Sequence, residues 1–192
     1  MTPTEAAELL AQHSAANQGV GRFYGATEGL ALGVGLFYEG VRFPFFDDED
    51  RVFNTIEGAV YVLTHECDVA QENDRVMNQH VLVCPVISLA AFLVEFELAF
   101  SSPAACRSFL IEVGRRAVSR LLYLPSGPGA LAGGALISLN AMASTHVSEF
   151  ENKRPIAALS THGLRELDVA LANHFSRPKS DALASSWTLA MQ

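Results

Sequence analysis

Two segments, Gly58-Ala-Val-Tyr-Val-Leu-Thr64 and His80-Val-Leu-Val-Cys-Pro-Val-Ile87, are almost unbroken in apolar and β-branched residues. Runs of that length and composition read as strands covered on both faces. A polar segment from His65 to Gln79 joins them. Strand, polar loop and strand therefore form the centre of the molecule. The remaining elements have to supply a layer of apolar side chains on each side of it.

Those elements can be read from their ends. Thr2-Pro3-Thr4-Glu5 has the form of a capping box with proline in the first turn, so a helix is expected from about Pro3 to Ala15. The stretch from Gly19 to Phe46 alternates glycine with aromatic and branched residues and reads as short strands, with Pro44 at a strand end or edge. Asp47 to Asp50 is a charge run that reads as a solvated loop, without the alternating carboxylates and turn glycine of a calcium loop. Ser88 caps a helix reaching about Phe100, and Ser102-Pro103 opens another reaching about Ser119. In that second helix Phe109, Leu110, Val113, Ala117 and Leu121 are expected to face inward, and Arg107, Arg115, Arg116 and Arg120 outward. Strands are expected at Leu121–Leu124, Ala135–Leu139 and Arg154–Leu159, followed by a helix capped by Ser160. The result is one domain, residues 1–178, with a helical insertion at about 88–119 and a tail at 179–192.

The 21 acidic residues outnumber the 13 basic ones, for a net charge of −8. Non-specific DNA binding is not expected of such a chain, because it depends on clustered cations. No apolar run is long enough for a membrane span, and the N-terminal MTPTEAAELLAQH has neither the basic nor the apolar region of a secretory signal. Three cysteines without regular spacing are no disulfide framework. A cytoplasmic, bacterial-type protein is the reading. Gly19-x-Gly21 and Gly33-x-Gly35 do not stand between a strand and a helix as a phosphate loop requires, so no cofactor is expected.

Chemistry concentrates at Thr64-His65-Glu66-Cys67-Asp68, where a buried strand ends. Three readings of it stand side by side. His65 and Cys67, with His80 and Cys84, supply the ligand types of a zinc site, although His80 and Cys84 lie about 13 Å apart along a regular strand. Cys67 beside His65 and Asp68 has the residue types of an activated thiolate. Or Cys67 is a small buried hydrophobe and Asp68 braces the turn by accepting backbone N–H groups.

The segment AVYVLTHECDVAQENDRVMNQHVLVCPVISL resembles a group of poorly characterised bacterial proteins. Their pattern is an apolar strand, a Ser/Thr-x-x-Cys-Asp-apolar turn, a variable loop and a strand ending in proline. Thr64, Cys67, Asp68, Val69 and Pro85 carry it here. Tyr123-Leu124-Pro125, Arg154 to Ser160 and His174 to Pro178 look like the same group. The arrangement is also similar to the MazF/PemK toxin family, an SH3-like barrel that cuts RNA. The resemblance implies an α+β fold: a small antiparallel SH3-like β-barrel with an N-terminal helix, an inserted helical hairpin and a C-terminal helix. The toxins place an Arg-Pro before the first of these strands, where this chain has Glu57-Gly58-Ala59.

Two functions follow as expectations. One is a non-catalytic barrel module that binds a protein partner or a further copy of itself, or weakly an RNA, within a toxin-like or phage-defence assembly. Thr64, Cys67 and Arg75 would line its binding surface. The other is an endoribonuclease in which His65 and Asp68 act as acid and base and Arg75 or Arg51 replaces the missing cation.

Overall fold

A computed structural model describes residues 1–14, 23–47, 50–70, 79–99 and 102–176. The expected tail, Gly19–Gly21 and Arg75 lie outside these residues. In chain order the elements are α1 (Pro3–His13), β1 (Tyr24–Gly25), β2 (Leu36–Asp47), β3 (Val52–Val62), the single turn α2 (Glu66–Val69), β4 (His80–Ser88), α3 (Leu89–Ala99), α4 (Pro103–Gly114), β5 (Leu121–Leu124), β6 (Ala135–Ser138), β7 (Ala143–His146), β8 (Ala157–Leu159) and α5 (Thr161–Phe175). The fold is α+β. No described helix is long and apolar enough to cross a membrane.

The strands form an eight-stranded antiparallel sheet in the order β1-β8-β2-β3-β4-β6-β5, and β7 also pairs with β4. β3 and β4 are neighbours, Tyr61 facing Cys84 and Val62 facing Val83. Both are covered on two sides where they pair. Val60, Val62, Val81 and Val83 enter one cluster with Leu36, Tyr38 and Phe43 of β2. Tyr61, Cys84 and Val86 enter another with Phe37 and with Leu167 of α5. This is the period-2 alternation of a strand between two layers. A third cluster joins α1, α3 and α4 to Leu121, Tyr123 and Leu136 on the sheet.

β6 and β7 lie along the same strand, Val86 facing Ile137 and Val83 facing Ala143. A 3-10 turn at Leu139–Ala141 interrupts them. β7 then approaches β2 without joining its ladder. The Thr145 hydroxyl donates to the Arg42 carbonyl at 2.6 Å. The Arg42 amide and guanidinium both donate to Glu149, at 3.3, 3.2 and 2.8 Å. That guanidinium holds the Glu149 carboxyl below the usual carboxylate range. Among the described residues the sheet curls but does not close through backbone pairing.

Several expected boundaries shift. The glycine-aromatic stretch yields the two-residue β1 and the twelve-residue β2, the latter with a register shift between Tyr38 and Val41 and with Pro44 inside it. β3 begins at Val52, because the acidic run closes a long hairpin in which Asp47 accepts from the Asp50 amide at 3.2 Å. α4 stops at Gly114, since Arg116 adopts a positive φ of 61°. Ala117 is consequently exposed. Arg116 does not face outward with its neighbours but turns in to pair with Glu166 of α5.

Candidate functional site

The Cys-Asp corner is built by continuing the β3–β4 ladder and then breaking it. The Leu63 amide still donates to the Leu82 carbonyl at 2.9 Å. At the next position the Thr64 side chain replaces the backbone, its Oγ1 accepting from the Leu82 amide at 2.7 Å. The chain then turns into α2. His65 is the N-cap, and its Nδ1 accepts from the Cys67 amide at 3.3 Å. The Asp68 amide donates to the His65 carbonyl at 2.9 Å and the Ala70 amide to the Glu66 carbonyl at 3.0 Å. Val69 alone of α2 is buried, anchoring the turn in the β-sheet core. Gly33 backs the turn: a Cβ there would lie 2.8 Å from Cβ and 3.0 Å from Cα of Glu66.

His65, Glu66, Cys67 and Asp68 are all exposed. The reading of Cys67 as a buried hydrophobe is therefore overturned, because the one inward position of the short helix belongs to Val69. The His65 ring braces the turn from one residue ahead of the helix, where an N-cap acceptor has to stand.

The proposed zinc ligands do not converge. Cys84 lies in the core between β3 and α5, whereas His80 is exposed and faces His146 of β7 across the ladder, ring centroids 6.0 Å apart. Among the described residues no group of three or more His, Cys, Asp and Glu side chains is placed to hold a metal ion. Of the two cations named for RNA chemistry, Arg51 is not at the corner. Arg51 precedes β3 and His65 follows it, so an eleven-residue strand, about 36 Å by its rise, separates them. Arg75 lies outside the described residues.

Burial pushes the Cys84 thiol up to about 12, so little thiolate forms there at neutral pH. Cys106 is also buried, and only Cys67 is exposed. Treatment with a disulfide-exchange reagent at neutral pH is expected to label Cys67 at least about 100-fold faster than the other two. Cys67→Ser should abolish the fast phase, as followed by intact mass. Fast labelling of Cys84 instead would contradict the packing of β4.

A second surface was missed by the sequence reading. Pro44, Phe45, Phe46 and Phe53, at the outer end of the β2–β3 hairpin, face residues 140–142 across a groove of about 450 Å³. The Phe46 and Phe53 rings meet edge to face at 5.0 Å. The signal was present as two β-rich runs, VRFPFF and RVFNTIE, on either side of a turn-forming acidic run. Compared with known proteins, the chain matches no family model and no curated protein.

Proposed function

We propose that the chain is a non-catalytic SH3-like barrel module that binds a protein partner in a toxin-like or phage-defence assembly. The barrel reading rests on connectivity. Strands β8, β2, β3, β4 and β7 are successive neighbours, and the 3-10 turn Val147–Phe150 leads from β7 back to β8. The Arg42–Thr145–Glu149 contacts bring β7 and the turn after it against β2, next to the β8 end of that set. The helices α3 and α4 and strands β5 and β6 are then an insertion between two barrel strands.

The observation that carries the binding reading is the apolar surface on the hairpin. Phe46 and Phe53, paired across the ladder, are exposed on one face of the hairpin, and Val52, Phe45 and Ile56 on the other. Large apolar side chains exposed in such groups are characteristic of interaction sites. The corner at Thr64–Asp68 supports the same reading, since its Thr64 and His65 side chains are engaged in holding the backbone.

The endoribonuclease remains the second reading, favoured by one observation: His65 and Asp68 are exposed on the same turn. One experiment separates the two. The purified chain is incubated with a mixed RNA pool, and in parallel used as bait beside a Phe53→Asp variant. Intact RNA, with a protein held by the wild-type bait and released by Phe53→Asp, supports the module. RNA cleavage that His65→Ala abolishes overturns it.

A further inference from the structure

The outer edge of β3 is built to accept another strand. Leu63, just past β3, and Tyr61 and Ala59 within it are the residues turned toward β4, as the Leu63–Leu82 bond and the register of the pair require. Alternation along the strand turns Glu57, Thr55 and Phe53 toward the same edge. The β2 side gives the same answer. Arg42, opposite Glu57, directs its amide and carbonyl away from β3, toward Glu149 and Thr145. Pro44, opposite Thr55, has no N–H to give β3. Beyond Ala59 the neighbouring strand departs, because β4 runs into α3. The N–H and C=O groups of Phe53, Thr55 and Glu57 are thus left without a ladder partner among the described residues.

We infer that two copies of this chain pair antiparallel through the β3 edge around Thr55, making one continuous sheet. This inference deepens the protein-binding reading above and rests on it. Three features favour a second copy. Exposed edges are ordinarily blunted by lysine, proline or bulges, and from Val52 to Glu57 this edge carries none of them. Its single charge, Glu57, would face Phe53 rather than the other Glu57 in an antiparallel pair centred on Thr55, so no like charges stand directly opposite. Lastly, the edge strand itself carries exposed apolar side chains on both faces, Phe53 76% exposed on one and Val52 46% and Ile56 37% on the other, which a strand added alongside would cover in part.

Sedimentation velocity from micromolar to submillimolar concentration tests the idea, with Thr55→Pro and Thr55→Lys as variants. Thr55→Pro removes an outward N–H and leaves the bonds to β2 intact. Thr55→Lys sets two lysines face to face on an exposed site and serves if the proline variant misfolds. Dimerisation is expected in the wild type, with the dissociation constant raised at least about tenfold in either variant. Exchange of the Phe53, Thr55 and Glu57 amides should also slow as concentration rises. A wild-type monomer throughout, or a dimer that both variants leave unchanged, overturns the pairing. A monomer whose bait still retains a protein through Phe53 keeps the binding module and removes only the self-association.

Discussion

Leu110→Ala is expected to lower the stability of the chain by about 3 kcal/mol. Leu110 is fully buried in the cluster that joins α1, α3 and α4 to the sheet. Its neighbours there are Leu9, Leu10, Leu89, Phe92 and Val113 from three helices, with Leu136 beneath them on β6. Two losses add. One is the transfer free energy of the deleted carbons, and the other is the cavity that helices tied at both ends cannot collapse to fill. α4 is held at its start by the Ser102 cap and at its end by the turn through Arg116 to Glu166. Relaxation is accordingly small. For a chain of this size the loss corresponds to a fall in Tm of roughly 6–12 °C, readable by calorimetry. A fall below about 2 °C would mean that the helices do not form a common core with β5 and β6.

The parts of the fold that could be read in the sequence are those decided by neighbours along the chain. The Thr2–Glu5 capping box is present with both of its bonds, at 3.2 and 2.7 Å. Ser88, Ser102 and Ser160 each accept an amide of the helix they precede. A cap depends on three or four consecutive residues, so it survives whatever the tertiary context does. The two-sided burial of β3 and β4 was legible for the same reason. What escaped was decided at a distance. Arg116 turns inward because Glu166 lies 50 residues further on and a positive φ ends α4. β7, with the sequence Ala-Ser-Thr-His, has little strand character of its own and forms because β4 offers an edge from His80 to Val83.

The candidate site divides along the same line. That the corner after Thr64 is special was visible, and the ladder substitution by Thr64 explains why a hydroxyl-bearing residue stands there. Cys67 was misplaced because a single helical turn buries only one position, and sequence alone does not say whether Cys67 or Val69 takes it. The hairpin surface was missed because strand character alone does not say how far the covering layer reaches. Phe43 is core, but Phe45, two residues further out on the same face, lies beyond the edge of the layer that covers it.

Gly163→Ala is expected to destabilise the fold by about 2 kcal/mol, against the usual sign of this exchange in a helix. Alanine in place of a helical glycine ordinarily gains up to about 1 kcal/mol. Gly163 sits in the first turn of α5, where its amide donates to Ser160 Oγ at 3.2 Å. A Cβ there would lie 2.5 Å from the Phe23 carbonyl oxygen and 3.1 Å from Leu159 Cδ2. The leucine could rotate, but the carbonyl cannot, because it accepts the Ser160 amide at 3.0 Å just where β1 crosses the start of the helix. Relief requires α5 to move away from β1, which strips contacts from Leu167 and Ala170 in the shared core. Overpacking of that kind typically costs 1–3 kcal/mol or more, which outweighs the propensity gain. Chemical denaturation measures the difference. Trimming the side chain in a Gly163→Ala/Leu159→Ala double variant should not restore the loss, since the obstacle is backbone. A single variant as stable as wild type, or more so, would show that α5 does not dock against β1 at this distance.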